Sequence, residues 1–88
     1  MQARTGFILR NIMGERLLMP IGENVGRFGG PILLNEVSAF IWEKLQAPAT
    51  RDGLLKEVLD AYEIDGATAA ADLDALLADL KQLGVIQE

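Results

Sequence analysis

The chain has 88 residues and contains neither cysteine nor histidine. Disulfide scaffolds, zinc sites built on Cys or His, iron–sulfur clusters and thiol- or imidazole-based catalysis are therefore excluded. Ser38 is the only serine, so no Ser-His-Asp triad can be assembled. Positive charge is also scarce: eight Lys and Arg face thirteen Asp and Glu, for a net charge of −5. A protein that neutralises nucleic-acid phosphates needs the opposite balance. No stretch approaches the roughly 18 apolar residues of a membrane span. The first residues lack the apolar segment of a secretory signal, so a cytoplasmic location is expected.

What is abundant is apolar surface. Half of the residues are hydrophobic, which argues against disorder. A chain of this length forms one domain, here spanning 1–88, that buries roughly 60–65 % of its unfolded surface. No repeat or linker divides it, and residues 1–6 read as a flexible lead-in.

The clearest junction is Leu34-Asn35-Glu36-Val37-Ser38-Ala39-Phe40-Ile41-Trp42-Glu43-Lys44-Leu45. Asn35 is a suitable N-cap, and Glu36 stands where the helix dipole favours negative charge. Val37, Phe40, Ile41 and Leu45 recur at helical spacing, with Trp42 at the border of their stripe. Three strands are expected before this junction. Phe7–Ile12 and Arg16–Ile21 form a hairpin about a turn at Met13-Gly14-Glu15, with Pro20 near a strand end. Gly22 to Gly30, with four glycines and Arg27 and Phe28 among them, reads as a connector. It lacks the Gly-Lys-Ser/Thr ending of a phosphate-binding loop. Pro31–Leu34 is the third strand.

Two helices follow the first. Thr50 caps one, whose apolar face is Leu54, Leu55, Val58, Leu59 and Tyr62. Asp65 caps the other, over about 66–83, with Gly84 as its C-terminal stop. On that last helix Ala69, Leu73, Leu76, Leu80 and Leu83 share one sector of ~80° and are assigned to the core. Ala70 and Leu77 form one border of the sector, with Asp74 and Lys81 just beyond. Asp72 and Asp79 form the other. The pattern is α+β: a three-stranded antiparallel sheet followed by three helices, βββααα.

Nothing in the pattern carries catalysis. The carboxylates fall on helix faces that water is expected to cover, and no pair is singled out for acid–base work or Mg²⁺. The expectation is a protein that is not an enzyme and holds no cofactor or metal. Binding remains. In an up-and-down sheet the third strand is an edge, with backbone donors and acceptors available to an added peptide strand. The border formed by Ala70 and Leu77 would supply side-chain pockets if the last helix lies beside that strand.

These residues are similar to those of a known family. Phe7-x-Leu9-Arg10-x-Ile12-x-Gly14-Glu15, Pro20-Ile21-Gly22-Glu23, Leu34-Asn35-Glu36 with Phe40-Ile41-Trp42, Thr50, Asp72-Leu73, Leu80 and Leu83-Gly84-Val85-Ile86 resemble the PqqD-like family. The match runs over about 7–87. The resemblance implies a winged helix-turn-helix-like domain, also called a RiPP recognition element. Such a domain holds the leader of a ribosomally made precursor peptide and presents it to a modifying enzyme, often a radical SAM enzyme, in natural product biosynthesis. It also implies that the leader adds to the third strand and lies between that strand and the third helix. On this chain those positions are Ile32, Leu33 and Leu34, with Ala70, Asp74, Leu77 and Lys81 chosen from the helical wheel. Leu77→Asp is then expected to weaken leader binding and leave the fold intact. Alternative readings are a winged-helix DNA-binding module, a structural subunit that docks through Trp42, and a homodimer paired through the third strand.

Overall fold

The computed structural model describes residues 1–26 and 30–88. Arg27, Phe28 and Gly29, part of the glycine-rich connector, lie outside the described residues. The elements in chain order are β1 (Gln2–Ala3), β2 (Phe7–Ile12), β3 (Glu15–Pro20), a 3₁₀ turn (Gly22–Asn24), β4 (Ile32–Leu34), α1 (Glu36–Lys44), α2 (Arg51–Ala61), α3 (Gly66–Leu83) and β5 (Ile86–Gln87).

β2 and β3 pair antiparallel with Ile12 opposite Glu15, which leaves Met13 and Gly14 as the turn. Both residues have positive φ, 52° and 83°. That combination marks a type I′ turn, whose twist suits a two-residue hairpin. Pro20 ends β3 opposite Phe7, where its missing amide hydrogen costs the ladder least. β4 joins the other side of β3, with Leu18 opposite Ile32 and Arg16 opposite Leu34. The sheet order is β2-β3-β4, so β4 is an edge, as the strand order implied.

All three helices begin on the expected caps. Asn35 Oδ1 accepts from the Ser38 amide at 2.8 Å, Thr50 Oγ1 from Gly53 at 3.0 Å, and Asp65 Oδ2 from Thr68 at 3.1 Å. Gly84, at φ 77°, closes α3 in the left-handed conformation that glycine adopts without a Cβ penalty.

The core joins both layers. Leu18 and Leu34 enter it from the sheet, Ala39, Ile41, Trp42 and Leu45 from α1, Leu54 and Val58 from α2, and Ala69, Leu73, Leu77 and Leu80 from α3. Trp42, read as a border residue, is only 2 % exposed and meets Phe7 of β2 edge-on at 6.4 Å. Its neighbours explain the difference: α1 is enclosed between sheet and helices. It therefore buries an arc of about 160°, from Ile41 round to Ala39, wider than the stripe of a one-sided surface helix. A subunit docking through Trp42 has no exposed indole to use.

Residues 1–6, expected to be a flexible lead-in, contain a strand. Gln2 and Ala3 form β1, which pairs antiparallel with β5. The Ala3 amide donates to Leu45 O at 2.8 Å, Arg4 to Val85 O at 2.9 Å, and the terminal ammonium of Met1 to Ala49 O at 2.7 Å. A two-residue strand is too short to show a period of two, and its partner lies at the far end of the sequence. Val85 and Ile86 pack into the core beneath this pair, with 0 % and 4 % exposure.

Candidate functional site

β4 owes its edge position to the sheet order, and no strand pairs with its outer side among the described residues. Its side chains alternate: Ile32 is half-buried, Leu33 is 63 % exposed and Leu34 is 6 % exposed. α3 runs alongside. Between the two lies a cleft of about 480 Å³ lined by Ile32, Leu33 and Leu34 on one wall and by Leu76, Asp79, Leu80, Gln82 and Leu83 on the other. Asn35 and Ser38, the cap and first turn of α1, line it where β4 ends. A second cleft of about 350 Å³ shares Asn35, Ser38, Leu76 and Asp79 with the first and continues between α1 and α3. Val37, Ile41, Leu73 and Leu76 line it, with Asp72 and Asp79 along its α3 side. At the opposite side of the sheet, the cleft around Phe7 of β2 is lined mainly by polar residues, Gln2, Arg4, Thr5, Asn24 and Gln87.

Of the residues named from the sequence, the cleft brings together those of the strand and not those of the helix. Ile32, Leu33 and Leu34 all line the cleft; Ala70, Asp74, Leu77 and Lys81 do not. Leu77 is 4 % exposed and belongs to the core. Asp74 accepts from Arg51 of α2, Nε to Oδ1 at 2.9 Å and Nη2 to Oδ2 at 3.0 Å. Lys81 reaches Glu88 at 2.6 Å. Ala70 is half-buried and lines neither part of the groove. Leu76 and Leu83, assigned to the core, are instead half-buried and 42 % exposed. The apolar arc of α3 runs about 120°, from Leu83 through Ala69 to Leu77, at 100° per residue. The wheel gives the width of that arc. Which end stays open depends on where β4 and α2 dock. An arc wider than a core face requires was the available signal, and both of its ends satisfied it.

The charges follow the same division. The Arg51 guanidinium holds the Asp74 carboxyl below the usual carboxylate range by hydrogen bonding, and Lys81 does the same to Glu88. Arg16 stands 3.9 Å from Glu36, the first residue of α1. Asp72 and Asp79, both exposed, have no ion-pair partner among the described residues. No group of three or more acidic side chains among the described residues is placed to hold a metal ion. No helix among them is long and apolar enough to cross a membrane.

These features define a small α+β domain with an open strand edge facing a helix across an apolar groove. The chain belongs to the family described as coenzyme PQQ synthesis protein D (PqqD), whose profile matches residues 15–86. Two solved structures share its fold. TbiB1 in complex with the TbiA(beta) leader peptide is 20 % identical, with a TM-score of 0.75 over 99 % of this chain and 95 % of that one. Lasso peptide synthetase B1 complexed with the leader peptide is 22 % identical, with a TM-score of 0.73 over 99 % and 96 %. Among curated proteins none matches the chain in sequence.

Proposed function

We propose that this chain is a RiPP recognition element, a non-enzymatic adaptor that takes the leader of a ribosomally made precursor peptide as an added strand on β4. The observation that carries this reading is the unpaired β4 edge lying directly beside an apolar cleft walled by Leu76, Leu80 and Leu83. Strand addition supplies backbone hydrogen bonds that tolerate any sequence, and the cleft selects side chains. Each apolar leader side chain seated there contributes roughly 1.5–3 kcal/mol. Two such anchors and a few ladder bonds suit the micromolar range, about 8 kcal/mol, which still allows release. Membership of the PqqD family and two fold neighbours solved with leader peptides support the same reading.

The adaptor's second partner is a modifying enzyme, of the radical SAM class that the family resemblance implies, in the cytoplasm. A DNA-binding winged helix is disfavoured: α3 exposes Asp72, Asp74 and Asp79, while its one basic residue, Lys81, is paired with Glu88. The test is an amide chemical-shift titration of the labelled protein with the candidate leader encoded in a neighbouring short reading frame. Shifts of 32–34 and of the Leu76–Leu83 side of α3 are expected. Shifts that leave 32–34 unmoved, or none with a folded spectrum, overturn the proposal; concentration-dependent shifts of β4 without peptide would indicate self-pairing through the same edge.

A further inference from the structure

The groove does not end where β4 ends. Past Leu34 it turns under the cap of α1 and continues between α1 and α3, through the shared residues Asn35, Ser38, Leu76 and Asp79. A peptide added to β4 leaves the sheet at this point and has no further ladder to join. Its extension would lie over an apolar floor of Val37, Ile41 and Leu73. Along one wall of that extension stand Asp72 and Asp79, exposed and without an ion-pair partner among the described residues, whereas the cleft has no basic residue in its lining.

Resting on the leader-binding reading above, we infer that the α1/α3 cleft is a second compartment of the peptide site, selective for a cationic extension of the bound segment. Asp72 and Asp79 are seven residues apart, which places them on nearly one line of the helix, separated by about 10 Å. An extended peptide with polyproline-II character advances ~3.1 Å per residue and returns to the same side every third residue. Two Lys or Arg residues three apart therefore meet both carboxylates. The sheet is antiparallel throughout, and an antiparallel addition continues it. In that orientation, the end that runs past Leu34 is N-terminal to the pairing segment. The inferred ligand is thus a peptide with a basic N-terminal part followed by an apolar strand. Its charge also suits a chain of net charge −5, which speeds encounter at low salt.

The test is selection of binders from a random displayed library of 16-residue peptides against the wild-type protein and against Asp72→Asn/Asp79→Asn, followed by amide-shift mapping of the winners. The expected wild-type winners shift 32–34 and the α1/α3 cleft and are enriched in Lys or Arg three apart, N-terminal to their apolar segment. The double variant should lose that enrichment, and a wild-type winner should bind it roughly tenfold or more weakly. Winners that shift β4 but show no basic enrichment, or equal enrichment on the variant, overturn the cationic compartment and leave the strand-addition reading standing. The absence of any winner that shifts β4 overturns strand addition, and the inference with it.

Discussion

Arg51 and Asp74 are joined by two near-parallel hydrogen bonds, 2.9 and 3.0 Å long, that fasten the start of α2 to the middle of α3. Asp74 lies about 160° round the helix from Leu76, so this clamp holds the wall of α3 that faces away from β4.

The clamp makes a pH prediction. Hydrogen bonding from Arg51 lowers the Asp74 pKa, so the folded value lies below the unfolded one, near ~3.9. The pair's contribution is then present above the unfolded value and is lost as pH falls through the folded one. The contribution is small, because both side chains are solvent-accessible. Side-chain carboxyl ¹³C titration should show Asp74 among the lowest-titrating aspartates, and Arg51→Gln should return it to the ordinary range. Leader affinity should be unchanged in Arg51→Gln, because the pair lies outside the groove.

Leu76 and Leu77 are neighbours with opposite expected outcomes. Leu76→Asp places a carboxylate at a half-buried groove wall and should weaken leader binding tenfold or more while the circular dichroism melt stays cooperative. Leu77→Asp puts it into the core, where Leu77 is 4 % exposed. Cavity and desolvation terms together cost roughly 4 kcal/mol or more, a large share of the about 5–15 kcal/mol that holds a domain folded. Loss of the cooperative melt is expected. A folded Leu77→Asp that fails only in binding would restore the border inferred from the helical wheel.

Two backbone positions test the hairpin and its base. Met13 is 98 % exposed and holds φ 52°, a region where Asn is enriched and an unbranched apolar residue is not. Met13→Asn should raise stability by about 0.5 kcal/mol and leave leader binding unchanged. Gly6, at φ 94°, has no room for a side chain: a Cβ there would collide with the Asn24 amide, which donates to Gly6 O at 3.1 Å. Gly6→Ala should cost about 1–2 kcal/mol or more through backbone strain and the lost hydrogen bond. Urea melts of both variants give the signs.

Much of the architecture was legible because it is written in local chemistry. Asn35, Thr50 and Asp65 each cap the helix they precede, and Gly84 ends α3 in the left-handed conformation that favours glycine. Met13-Gly14 turns the hairpin, and the strand order makes β4 an edge without reference to any distant residue. These signals act within a few residues, and they survive folding unchanged.

The remainder needed partners distant in sequence. β1 exists because β5 lies beside it, and Trp42 is core because Phe7 and the helices enclose α1 on two sides. The sequence determined that α3 carries an apolar arc of about 120°, wider than one contact requires, and that a free strand edge would stand somewhere near it. Only the tertiary structure decided that α2 covers the Leu77 end, through Arg51 and Asp74, and that β4 meets the Leu76–Leu83 end. The physical reason is that a helical wheel records angles about one axis, whereas burial depends on which neighbours dock around that axis, and those contacts are non-local.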